Sequence, residues 1–125
     1  MKMNNVLWLV GAVGLLGCGD STLAGITGKQ VDAVSVAADN TCDAYERCGE
    51  IGSGKDFTNR DECITNRKSF WNDRWSMADC DGMINGDKLQ FCLDAINSTS
   101  CTDIFDKADT IYTKCAKSDV CSGKQ

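Results

Sequence analysis

The sequence of 125 residues contains no histidine and no proline. Without histidine the chain lacks the usual general base, the usual pH switch and the commonest metal ligand. This excludes Ser-His-Asp and Cys-His catalysis, histidine-bearing zinc sites and histidine-ligated haem. Basic residues are outnumbered, with 13 Lys and Arg against 18 Asp and Glu. The resulting net charge of −5 argues against a nucleic-acid partner.

The chain is otherwise composed like an ordinary globular protein, with 42% hydrophobic and 25% charged residues. Its length suits one compact domain. What it has in unusual number is cysteine, of which there are nine. An odd count in so short a chain raises the question of which cysteine is set apart from the rest.

Residues 1–17 have the pattern of a signal peptide. One lysine precedes an apolar run from Val6 to Leu16. At about 1.5 Å per helical residue this run spans roughly 16 Å, about half of a hydrocarbon core, which is too short for a transmembrane helix. The alternative is a buried core helix, which the glycines of this segment disfavour.

The end of this segment, Leu15-Leu16-Gly17-Cys18, resembles the lipobox of bacterial lipoproteins. The resemblance implies cleavage before Cys18, a diacylglycerol on its thiol and acylation of the new amino terminus. Gly19 stands where an aspartate would signal inner-membrane retention, so the resemblance implies the outer membrane of the cell envelope. The alternative is an ordinary secreted protein cut elsewhere. Residues 18–29 then read as the lipidated cysteine and a flexible tether, followed by a domain at 30–125.

Lipidation of Cys18 would leave an even number of cysteines, which in an exported domain predicts four disulfides. These are Cys42, Cys48, Cys63, Cys80, Cys92, Cys101, Cys115 and Cys121. A metal site or a thioredoxin-like role is disfavoured because the chain has no Cys-x-x-Cys pair. Helical-hairpin geometry predicts Cys48–Cys63, and folding back beyond the third helix predicts Cys92–Cys101.

Apolar residues recur at three- and four-residue steps and predict an all-α fold, a small array of three to four helices cross-linked by four disulfides. The predicted helices cover 30–48, 59–77 and about 87–97, with weaker helical turns within 104–115 and a polar tail after them. Gly49 is expected to stop the first helix. Thr58, with Asp61 three residues later, is expected to cap the second.

Several cysteines and apolar residues keep a recognisable spacing over about 40–121. They are Cys42-x2-Tyr45-x2-Cys48, Cys63, Phe70-x4-Trp75-x4-Cys80 and Cys92-Leu93-x2-Ile96-x4-Cys101. This spacing resembles the small cysteine-rich lipoproteins of unknown function from myxobacteria. The resemblance implies a helical, disulfide-bonded envelope protein and supplies no activity.

The stretch Asp79–Asp87 is the one candidate ligand loop. In a calcium-loop register Asp79 and Asp81 take ligand positions three and five, and Asn85 takes position nine. Met77 and Lys88 then stand where the first acid and the bidentate acid belong. The favoured interpretation is therefore a polar loop whose Asn85-Gly86-Asp87 stretch starts a helix, with no metal site.

Two other sets of side chains invite a functional interpretation and have a simpler one. The aromatic residues form either a recognition surface or a core stripe: Tyr45, Phe70, Trp71 and Trp75. The acidic pairs Asp79/Asp81 and Asp103/Asp106 are conceivable acid/base groups, although solvated surface charge is the better account.

The sequence therefore predicts a lipid-anchored, non-enzymatic envelope protein. It would have no cofactor, and its domain would serve as a structural or protein-interaction module. Its expected partners are the membrane, through the lipid, and an envelope protein. The alternative is a calcium- or small-ligand-binding module that uses the Asp79–Asp87 loop.

Overall fold

A computed structural model describes residues 28–101 and 113–123, and within these ranges the chain is mostly helical. The helices are α1 (Gln30–Arg47), α2 (Arg60–Arg74), α3 (Met77–Cys80), α4 (Gly86–Asn97) and α5 (Lys117–Val120). In the described part of the chain the only β-type pairing is an isolated bridge between Ile51 and Phe57. The predicted all-α class with four disulfides is confirmed. The signal segment, Cys18 and the tether up to residue 27 lie outside the described residues, as does 102–112, most of the weakly helical stretch.

The ends of α1 and α2 follow from local chemistry. Gly49, with φ of +73°, lies just past the end of α1, where its N–H donates to the carbonyl of Glu46. The N-cap of α2 is Asn59 and not the expected Thr58: the Asn59 side chain accepts from the N–H of Glu62 at 2.9 Å. The Glu62 carboxylate in turn accepts from the N–H of Thr58 at 2.6 Å. A reciprocal cap of this kind was expected, but it is built on residues shifted by one.

The main core lies where α1, α2 and α4 meet. Small side chains on α1, Ala33 and Ala37, are fully buried there. They leave room for Trp71 of α2 and for Trp75 just after its end, which are also buried and have ring centroids 4.6 Å apart. The Trp75 indole N–H donates to the carbonyl of Cys115 at 2.9 Å. These two tryptophans are therefore core residues and cannot form a recognition surface.

The structure pairs the cysteines as Cys42–Cys63, Cys48–Cys101, Cys80–Cys121 and Cys92–Cys115. The predicted pairs Cys48–Cys63 and Cys92–Cys101 are wrong. The loop after α1 carries the chain back alongside that helix, so the buried Cys63 meets the buried Cys42 inside the helix pair. Cys48, at the end of α1, is left to reach the exposed Cys101 just beyond α4.

The two shortest helices, α3 and α5, depart from the sequence prediction. The helix predicted for 59–77 ends at Arg74, and a separate turn of helix begins at Met77. The segment expected to be a polar tail contains α5. This short helix is held against the domain because Val120 is fully buried and Cys121 is bonded to Cys80. No helix in the described ranges is long and apolar enough to cross a membrane.

Candidate functional site

The Asp79–Asp87 loop lies against the point where the chain enters the domain. The N–H of Gly82 donates to the carbonyl of Gly28 at 2.7 Å. The N–H of Gln30 donates to Oδ1 of Asp81 at 3.1 Å. The candidate ligand loop therefore contacts Gly28 and Gln30, at the start of the described residues.

Gln30 is a buried polar residue that joins the start of α1 to the end of α2. Its side-chain Nε2 donates to the carbonyl oxygen of Trp75 at 2.6 Å and to Oδ1 of Asn72 at 2.8 Å. Both acceptors belong to the end of α2 and the residues near it, so one side chain joins α1 to α2. Sequence analysis missed this residue, because a single polar side chain at a predicted helix start carries no periodic signal.

The two carboxylates of the candidate calcium loop hold different partners. Asp79 forms an exposed ion pair with Lys117 of α5 at 2.8 Å and accepts from the hydroxyl of Ser76 at 3.1 Å. The hydrogen bonds from these two groups lower the pKa of Asp79 below its ordinary value. Asp81 accepts from the main chain of α1, as described above. Across the described ranges, no group of three or more histidine, cysteine or acidic residues is arranged to hold a metal ion.

Asn85 serves as the N-cap of α4, as the helix-start interpretation predicts. Its Oδ1 accepts from the N–H of Lys88 at 3.1 Å, while its Nδ2 donates to the hydroxyl of Ser122 at 3.0 Å. Its main-chain N–H donates to the carbonyl of Val120 at 2.7 Å. The candidate ligand is thus occupied in joining the loop to the carboxyl-terminal turn.

Of the remaining predicted aromatic residues, Tyr45 is buried in a second core cluster with Cys42 and Cys63, and Phe70 packs against the main core. Tyr45 contacts Phe57 edge to face, with ring centroids 5.2 Å apart, and burial raises its pKa above the ordinary value. Phe70 is half-buried, and the guanidinium carbons of Arg67 and Arg74 lie 4.6 Å and 5.3 Å from its ring centroid. Desolvation by burial lowers the pKa of Arg67. These contacts fit cations that stack on an aromatic ring while their stems cover apolar surface.

Three acidic side chains lie on the carboxyl-terminal half of α1. Arg60 of α2 pairs there with Asp43 at 2.8 Å, Glu46 at 2.9 Å and Asp39 at 3.6 Å. All four side chains are substantially exposed, so the pairs contribute little to stability. They make the far end of α1 distinctly more charged than the end at Gln30.

The described residues form a small all-α domain held by four disulfides and two packed tryptophans. The chain belongs to a family of unknown function, DUF6184, which matches residues 42–123. The matched range begins at the first paired cysteine and takes in all eight. No curated protein and no solved structure matches the chain.

Proposed function

We propose that this chain is a lipid-anchored protein of the bacterial cell envelope, attached through Cys18 and without enzymatic activity. The observation that carries the proposal is the pairing of the cysteines. Eight of the nine pair with one another in four disulfides, and Cys18 is the one left over. Disulfides persist in oxidising compartments, which supports an extracytoplasmic location.

The sequence before Cys18 supports the same proposal. The apolar run is followed directly by Leu15-Leu16-Gly17-Cys18, which resembles a lipobox. One acyl chain binds a membrane only marginally, whereas two or three hold stably. A diacylglycerol on the thiol with an acylated amino terminus would therefore suffice as an anchor. Gly19 favours the outer membrane, and the cysteine spacing favours a myxobacterial relative.

For the domain itself we propose a structural or protein-interaction role. Three of its four disulfides pair a fully buried cysteine with a partner that is itself buried or half-buried, which suits a protein that must stay folded outside the cell. No observation favours the calcium alternative, because Asp79 and Asp81 are already bonded within the domain. A thermal shift at millimolar calcium tests that alternative directly.

The anchor is tested by expressing the full chain in a bacterium fed with labelled palmitate. The wild type is expected to carry the label and to have the mass of a chain that begins at an acylated Cys18. The Cys18→Ser chain is expected to show neither. As a matched control, the double variant Cys48→Ser/Cys101→Ser removes two cysteines from the domain and should keep the label. Equal labelling of wild type and Cys18→Ser would overturn the proposal.

A further inference from the structure

One of the four disulfides differs from the others in its exposure. Each of the other three contains at least one cysteine that is fully buried. The fourth joins Cys48, which is half-buried, to Cys101, which is exposed. Thiol–disulfide exchange requires an attacking thiolate to reach a sulfur atom, and exposed disulfides are accordingly the labile ones. Cys48–Cys101 is therefore the disulfide most open to a thiol in the surrounding solution.

The Cys48–Cys101 disulfide joins the ends of two helices and lies outside the main core. Cys48 directly follows α1, and Cys101 lies shortly after the end of α4. The main core includes cysteines of two other disulfides, Cys80–Cys121 and Cys92–Cys115. Cys48 packs instead against the second cluster, which is formed around the buried Cys42–Cys63 pair. The other three disulfides therefore belong to the packed interior, whereas Cys48–Cys101 lies at its margin.

Other contacts join α1 to α4 and to the residues that follow it, independently of this disulfide. The side-chain Nδ2 of Asn97 donates to Oδ1 of Asn40 at 2.8 Å. Nη2 of Arg47 donates to the carbonyl of Thr99 at 3.1 Å. Buried side chains of both helices also belong to the same main core. Separating the two sulfur atoms therefore removes one link between the helix ends and leaves the packing of the helices in place.

We infer that Cys48–Cys101 is a thiol-exchange site, which opens and closes while the domain stays folded. A thiolate attacks Sγ of Cys101, the more exposed cysteine of the pair. The bond between the two Sγ atoms breaks, a mixed disulfide forms on Cys101, and Cys48 leaves as a thiolate that takes a proton from water. A second thiol then attacks the mixed disulfide and frees Cys101. In sum, two external thiols are oxidised to a disulfide and Cys48–Cys101 is reduced to two thiols.

The fold also favours the reverse reaction. The contacts of Asn40 and Arg47 with the residues just before Cys101 keep the two thiols close to each other after reduction. Cys48 then attacks a mixed disulfide on Cys101 within the same molecule, which is faster than attack by a second molecule. The state of this disulfide therefore follows the ratio of thiols to disulfides outside the domain. The exchange does not require the proposed anchor at Cys18 and goes beyond it.

The site is tested by equilibrating the oxidised protein with glutathione. Any free thiol is first blocked with N-ethylmaleimide, so that the result does not depend on whether Cys18 carries lipid. The ratio of reduced to oxidised glutathione is then raised in steps. Acid quenching, alkylation and mass spectrometry give the fraction of each disulfide that is open. Tryptophan fluorescence reports the fold, since Trp71 and Trp75 are buried.

Cys48–Cys101 is expected to be the one open disulfide over about a tenfold range of this ratio or more, with unchanged fluorescence. Oxidised glutathione should close it again. A dithiol protein of the thioredoxin type, used at the same thiol concentration, distinguishes the donors. Faster opening than with glutathione would assign the site to a protein thiol, and equal or slower opening would assign it to a small thiol.

Variants test the site itself. Cys48→Ser and Cys101→Ser each leave one thiol there, and oxidised glutathione should modify Cys101 about fivefold or more faster than Cys48. The double variant Cys48→Ser/Cys101→Ser should keep the fluorescence of the wild type. Its matched control is Cys92→Ser/Cys115→Ser, which removes a fully buried disulfide and should lower the free energy of unfolding more.

Three results would overturn the inference. A change in tryptophan fluorescence that accompanies the opening of Cys48–Cys101 would show that this disulfide opens only when the fold does. Opening of a second disulfide at the same glutathione ratio would show that the site is not distinct. Faster modification of Cys48 than of Cys101 would show that Cys101 is not the residue that thiols attack.

Discussion

Replacing Gln30 with glutamate tests how the amino-terminal end of the domain is held. The two side chains have the same length, but the carboxylate has no amide hydrogens to give to the carbonyl oxygen of Trp75 or to Oδ1 of Asn72. Asn72 is able to turn its amide and donate to the new carboxylate. The carbonyl of Trp75 cannot, so at neutral pH a negative charge would face an oxygen in a buried position.

The structure sets the size of the effect. Leaving the buried carbonyl without its donor costs about 1–3 kcal/mol, and an uncompensated buried charge costs about 3–5 kcal/mol. Negative charge at a helix amino terminus offsets about 0.3–1 kcal/mol of this. Because Asn72 can also respond, we expect Gln30→Glu to lower the free energy of unfolding by about 3 kcal/mol at pH 7.

The loss should depend on pH in a defined direction. Burial raises the pKa of the introduced carboxyl above its unfolded value of about 4.3. Below the unfolded pKa of about 4.3 the introduced carboxyl is protonated in the folded protein and donates one hydrogen bond, so most of the lost stability returns. The destabilisation then develops as the pH rises through the raised pKa.

The assay is urea unfolding without reductant at pH 7 and pH 4, followed by tryptophan fluorescence, since Trp71 and Trp75 are buried. Gln90→Glu is the matched control, because Gln90 is also helical but exposed, and bonds Asp94 at 2.8 Å. A like-charge pair one turn apart costs only about 0.2–0.5 kcal/mol. If the losses in free energy of unfolding caused by Gln30→Glu and by the control differ by less than about 1 kcal/mol at pH 7, then Gln30 does not stabilise the contact between α1 and the end of α2 as we infer.

Three further outcomes are expected. Limiting reductant should open the Cys48–Cys101 disulfide first, because its two cysteines are the most exposed of the four pairs. Alkylation and mass spectrometry give the order of opening, and earlier opening of another disulfide would contradict this prediction. Lys117→Ala should raise the pKa of Asp79 toward its ordinary value in an NMR titration, because it removes the hydrogen bond from the ammonium that lowers this pKa. In the wild type this ion pair stabilises the fold above the pKa that Asp79 has in the unfolded chain, and the stabilisation is lost as the pH falls through the lowered pKa of the folded state. Trp75→Phe should lower the free energy of unfolding by about 2–4 kcal/mol through a cavity and a buried carbonyl without its donor, and a loss below about 1 kcal/mol in urea would contradict the packing.

The longer helices were predictable because their signals are local. Leu89, Cys92, Leu93 and Ile96 follow one another at helical spacing, and all four are buried on α4. The amide of Asn85 caps the same helix, as its position in the sequence predicts. In such segments each residue responds to neighbours within four positions, so the pattern can be read directly from the chain.

The shortest helices were not predictable for the opposite reason. α3 and α5 have four residues each, too few to form alone, because the first turn of a helix fixes several residues for a single hydrogen bond. The two short helices stabilise each other, because the Cys80–Cys121 disulfide and the ion pair between Asp79 and Lys117 join them. Neither contact leaves a local trace in the sequence.

The sequence by itself determined what depends on near neighbours: an all-α chain, the approximate positions of its three long helices and an even set of cysteines beyond Cys18. Only the tertiary structure decided which cysteines pair, because a disulfide needs two Cα atoms within about 4.4–6.8 Å, whatever their separation along the chain. Cys48 and Cys101 meet at 5.4 Å across a sequence separation of 53. The same packing decides that Trp75 is buried while Met83 remains exposed where the chain enters the domain.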